Sequence, residues 1–131
     1  MWQEPNTDWS SYDTFNIDDY NRIIGNIVVI RELAEELYEP FSTVDLGDDK
    51  TYGAYIYADE VNAIEQNLTE ICANTYPFDI GTHRTYYPNQ PAADWKEYNR
   101  IESACFVIYK NLLGQASGRR RLAFTLGGGR F

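Results

Sequence analysis

The sequence predicts a mainly α protein: a three-helix bundle built from repeated helix motifs, with a small β element and an extended C-terminal arm. Three observations carry this expectation. A ten-residue phrase occurs three times, as DDYNRIIGNI (18–27), DEVNAIEQNL (59–68) and KEYNRIESAC (96–105). Aligned on Asn21, Asn62 and Asn99, the apolar residues fall into one register. They are Tyr20, Val61 and Tyr98, then Ile23, Ile64 and Ile101, then Ile27, Leu68 and Cys105, then Ile30, Ile71 and Ile108. This spacing lays one apolar stripe along each helix. Capping residues precede each copy, and proline or glycine follows it.

The first helix is expected from about Ile17 to Tyr38. Asn16 with Asp19 forms its capping box, and Pro40 stops it. The second is expected from about Glu60 to Thr75, opened by Asp59 with Asn62 and followed by Pro77. The third is expected from about Trp95 to Leu113, opened by Asp94 with Glu97 and ended by Gly114. Between them, KTYGAYIY (50–57) alternates like a strand or an extended arm, and HRTYYPNQP (83–91) reads as a loop. RRLAFTL (120–126) is the best strand candidate. Residues 1–114 would form the helical body. Residues 115–131 would form a basic C-terminal arm, within the same domain or exchanged between subunits. The repeat period of about forty residues also occurs in helical solenoids, but a helix pair per repeat is missing, which favours the bundle.

The chain has 131 residues, enough for one domain with a sizeable core. Its formal charge of -9 is unevenly placed: residues 1–102 carry all 20 acids against six basic side chains, and residues 103–131 carry five basic side chains. An acidic body disfavours nucleic acid, although GRRR (118–121) alone could touch phosphate. The basic segment suits the acidic body of a neighbouring subunit instead. No apolar run is long enough to cross a bilayer. The opening MWQEPNTDWSS does not read as a signal peptide, so folding in a reducing cytoplasm is expected. Cys72 and Cys105 sit in apolar helical patterns and read as small buried hydrophobes, with a disulfide left open.

The search for chemistry yields no catalytic, cofactor-binding or metal-ligating residues. His83 has no Cys or carboxylate at ligand spacing. LGGGRF (126–131) lacks the Lys and Ser or Thr of a phosphate loop. The acids Glu35, Glu36, Glu39, Asp45, Asp48 and Asp49 lack the calcium-loop pattern and read as a solvated face. The repeated Asn21, Asn62 and Asn99 stand out, because Asn is a poor helix residue. Three uses at one position suggest that each amide pins the preceding loop or an adjacent helix. Arg22 and Arg100, nearly opposite the stripe, are expected in solvent or at an external contact.

The phrases FNIDDYNRIIGNI and KEYNRIESAC, with the tryptophans before them, resemble segments of small structural proteins of tailed bacteriophages and prophages of Gram-positive bacteria. RRLAFTLGGGRF resembles a chain end that docks on a neighbour. The resemblance covers about ten residues per copy. Three copies and no fibrous shaft favour a compact tail or baseplate component over a receptor-binding fibre. It implies a non-enzymatic virion protein, made in the host bacterial cytoplasm, without cofactors. Its partners would be itself, as a homo-oligomer, and other virion proteins. Loop aromatics and the residues Arg119, Arg120, Arg121, Phe124, Arg130 and Phe131 are the candidate assembly contacts. The alternative is a small acidic cytoplasmic binding or regulatory protein that mimics nucleic acid. An enzyme assembled from tyrosines, His83 and acids ranks third.

Overall fold

The first helix, α1 (Ile17–Leu37), begins where the sequence places a cap. The Asn16 side chain accepts from the Asp19 N–H at 3.2 Å, and the Asp19 carboxylate accepts from the Asn16 N–H at 3.0 Å. In this computed structural model the described residues are 2–13, 15–47, 49–51, 56–76, 78–82, 85–89 and 93–125, with side chains through residue 118. They contain α1 (Ile17–Leu37), α2 (Ala58–Asn74) and α3 (Trp95–Thr125), and the three helices pack together in all three pairings. That closed arrangement around one core differs from a solenoid, in which the first and third units would not meet. α3 is capped by Asp94, which accepts from the N–H of Lys96 and Glu97. α2 begins two residues earlier than expected. Its answering acid is Glu60, which accepts from the Tyr57 N–H at 2.9 Å, in place of the expected Asp59–Asn62 pair.

Side-chain bonds fix the helix directions. Arg22 meets Glu102 near the starts of α1 and α3, and Tyr38 donates to Gln115 toward their far ends, so these helices run parallel. The described residues of 43–50 run antiparallel to α1, with Thr43 at Arg31 and Lys50 at Asn21. They also run antiparallel to α2, with Val44 at Asn67 and Lys50 at Glu60. All three helices therefore start at the same end of the molecule. That end carries the first-turn acids Asp18, Asp19, Asp59, Glu60 and Glu97, which suit the positive ends of the helix dipoles.

The aligned stripe is the core. Tyr20, Ile23, Ile27, Ile30, Val61, Ile64, Leu68, Ile71, Ile101, Cys105 and Ile108 are buried, and Tyr98 is partly buried. Ala34, Leu112 and Ala116 extend the buried row toward the helix ends. Burying each isoleucine contributes roughly 1.5–3 kcal/mol. Both cysteines are free, and burial pushes their thiols up.

Three expectations are corrected. First, α3 does not stop at Gly114. It crosses Gly114 and Gly118 to Thr125, so residues 115–125 are helix instead of an extended arm. Buried Leu112 and Ala116 hold the chain on the core through this stretch, and each glycine costs only about 1 kcal/mol in a helix. Second, residues 120–125 of the expected strand belong to the same helix, because the run of Arg, Leu and Ala continues it without a break. Third, there is no strand among the described residues of 50–57. The peptide of Lys50 is already occupied by a side-chain amide, described below, and so has no need of a ladder partner. Residues 52–55, with His83, Arg84 and 90–92 of the expected loop, lie outside the described residues.

One glycine is required by close approach. Gly81 has φ +74, and a Cβ there would stand 2.5 Å from Cδ of Arg100. Gly81→Ala is therefore expected to cost about 1–3 kcal/mol, from backbone strain and displacement of Arg100 together. Urea unfolding measures this, and an unchanged midpoint would refute the close approach.

Candidate functional site

The three repeated asparagines make the same contact. Asn21 accepts from the Lys50 N–H at 2.8 Å and donates to the Lys50 carbonyl at 2.9 Å. Asn62 does the same to Tyr86, with both bonds at 2.8 Å. Asn99 does the same to Trp9, at 2.7 and 2.8 Å. A primary amide presents one acceptor and donors side by side, so it can close on a peptide unit as a neighbouring strand would. The pinned segments follow a cycle. α1 holds the segment entering α2, α2 holds the segment entering α3, and α3 holds the segment entering α1. The segment held is thus the one leading into the next helix in the cycle; for none of the three is it the preceding loop or the adjacent helix that the sequence suggested.

Each segment is held a second time, six residues upstream, by its own helix. Asn26 clamps Gln3 through both amide atoms at 2.8 Å. Asn67 donates to the Val44 carbonyl at 2.8 Å, and its buried Oδ1 has no hydrogen-bond partner among the described residues. Arg100 donates to the Ile80 carbonyl at 3.1 Å. Asn26 and Asn67 both lie five residues after the repeated Asn, and Ala104 takes that place in α3, where Arg100 substitutes. Each of the three segments is thus tied at two points, once to its own helix and once to a neighbour. Asn99→Ala should remove both partners of the Trp9 peptide and cost about 1–3 kcal/mol. Amide hydrogen exchange at Trp9 should quicken more than in the α1 core; equal protection would argue against the clamp.

Two buried carboxylates complete the ring. Glu102 is 1% exposed and receives Arg22 through Nε at 2.7 Å and Nη2 at 2.8 Å. The same carboxylate accepts from the Trp9 indole N–H and the Asn6 N–H. Glu65, equally buried, pairs with Arg100. Arg22 also meets Asp19 at 2.9 Å, and its bonds to Glu102 raise its pKa further. These arginines are therefore internal ties, not the solvent or external contacts expected of them. Relative to the repeated Asn, each Arg lies at +1 and each Glu at +3. The cycle pairs +1 of α1 with +3 of α3, and +1 of α3 with +3 of α2. The third pairing, +1 of α2 with +3 of α1, carries Ala63 and Ile24 and no charge at all. The buried glutamates were missed in the sequence; the signal was the N-x-I-E string shared by residues 62–65 and 99–102.

The clamp at Tyr86 also shapes a surface. Beyond it the chain turns at Pro88 and Asn89, with Asn89 at φ 64, a left-handed position that Asn tolerates. A groove of about 500 Å³ opens between this turn and the starts of α2 and α3. Its lining includes Ile56, Tyr57, Asp59, Tyr87, Pro88 and Tyr98. Tyr57 is 59% and Tyr87 61% exposed, while Tyr86 is buried with its hydroxyl on Glu97. Tyr98 stacks on Phe15 at 3.8 Å, and burial pushes its pKa up to about 12. Lys50, over the Tyr57 ring at 5.5 Å, is bonded to Glu60 at 2.7 Å. No Lys or Arg lines the groove among the described residues, and Asp59 is exposed at its edge.

Among the described residues, no group of three or more His, Cys, Asp or Glu is placed to hold a metal ion. No helix among them is long and apolar enough to cross a membrane. Of the expected assembly residues, Arg119, Arg120, Arg121 and Phe124 lie on the last turns of α3, where side chains are outside the described residues. Arg130 and Phe131 lie outside them altogether.

The fold and site thus define a class: three parallel helices with amide-pinned connecting segments and an exposed aromatic groove at the helix-start end. Compared with protein-family models, curated proteins and solved structures, the chain matches none.

Proposed function

We propose that this chain is a non-enzymatic structural subunit, a three-helix bundle that works by docking to other proteins through its loop aromatics. The observation that carries the reading is the exposure of Tyr57 and Tyr87 around a groove whose wall is pinned through Tyr86 by Asn62. Pinned aromatics lose little entropy on binding, and Tyr is enriched at interface anchors. The buried ionisable groups support the same reading, since Glu102 and Glu65 are tied to Arg22 and Arg100. The resemblance of the repeated phrase to small phage proteins supports reading the assembly as a virion, with the chain as a tail or baseplate subunit. Quantitative mass spectrometry of purified phage particles from the encoding strain tests this. Multiple copies per particle are expected, and absence from particles of defined composition would reject the virion role.

A further inference from the structure

We infer that the aromatic groove at the helix-start end receives the basic segment 119–131 of a second copy, so that the chain associates head to tail. The proposal deepens the docking reading above and rests on it. The chemistry of the two surfaces is complementary. The groove offers tyrosine rings, Pro88 and the exposed Asp59; Lys50, which lies over the Tyr57 ring, is paired with Glu60, and no basic side chain is in the described lining. Residues 119–131 contain four arginines, two phenylalanines and no acid. Arginine stacks on tyrosine faces and pairs with carboxylates, and phenylalanine fills aromatic clefts.

Distance decides whose segment can enter. The groove lies beside Tyr98, near the start of α3, whereas residues 119–125 of the segment are the last turns of α3 and only 126–131 come after Thr125. The intervening 27 residues of helix span about 40 Å at 1.5 Å each. From Thr125, Phe131 can extend at most about 20 Å. Arg130 and Phe131 therefore fall short of the groove on their own molecule and can meet it only on another. Parallel helices place the two surfaces at opposite ends, so the contact uses different faces on the two copies. Such a contact propagates into a ring or a filament unless one end is blocked.

The test uses the full-length chain in sedimentation velocity, at low and high salt. Self-association that weakens with salt is expected. Two variants, Arg130→Ser/Phe131→Ser and Tyr57→Ser/Tyr87→Ser, change no residue of the buried core and should keep the wild-type circular dichroism. Each alone should associate at least about tenfold more weakly. Mixed, they should form a one-to-one dimer and nothing larger, because each retains one intact surface. A wild-type chain that stays monomeric at its highest soluble concentration overturns the second-copy proposal. It would leave particle incorporation, tested separately above, as the measure of the docking role. Association of either variant at wild-type strength, or a mixture that yields no dimer, overturns the pairing of segment with groove.

Discussion

Glu102→Ala should lower stability by about 3–4 kcal/mol, the usual cost of breaking a buried ion pair from one side. One carboxylate accepts from Arg22, from the Trp9 indole and from the Asn6 backbone, and so joins α1, α3 and the N-terminal segment. Its removal leaves the Trp9 N–H buried without that acceptor and the Arg22 charge with only Asp19. Thermal unfolding should fall by about 10 °C for a chain of this length. Tryptophan emission should shift to the red as Trp9 loosens. Glu102→Gln should cost less, since an amide oxygen can still accept one of these bonds. A loss below about 1 kcal/mol for the alanine variant would show that the ring of ties adds little.

A second large effect is expected at the place where the ring carries no charge. Ile24→Glu alone sets a carboxylate at a buried site and removes apolar packing, for a loss of at least about 3 kcal/mol. Ala63→Arg alone should be milder, because Ala63 is only partly buried and an arginine can reach solvent. Together they would recreate at the third junction the pairing that Arg22–Glu102 and Arg100–Glu65 make at the other two. The double variant should recover about 1–3 kcal/mol of the Ile24→Glu loss, a coupling readable from a double-mutant cycle in urea. Strict additivity would mean that the third junction is not equivalent to the others. The apolar pair in the native chain fits a general rule, that a buried ion pair can be replaced by apolar residues with little or no loss.

The helices were legible in the sequence because their signals are local. Spacings of three and four residues between isoleucines, and an acid three residues after a cap, depend only on the geometry of a single helix. The end of α3 was misread for the complementary reason. Gly114 is a stop signal by itself, but Leu112 and Ala116 on either side of it are buried and carry the helix through. The strand at Lys50 was misread because alternation announces an extended backbone without saying what bonds it. Here a helix asparagine does. Arg22 and Arg100 looked solvated on a wheel drawn for one helix. In the folded chain a neighbouring helix brings a carboxylate to each.

The sequence alone carried the triple repeat, the buried stripe and the importance of Asn21, Asn62 and Asn99, since each of these is written within ten residues. Partners twenty to a hundred residues away were beyond it: Trp9 for Asn99, Glu102 for Arg22, and the tyrosines gathered around one groove. Those pairings exist because three helices run parallel and each connecting segment is tied to two of them. A helix records in its sequence which face it buries, but the group that meets its polar edge belongs to another part of the chain, and packing alone selects it.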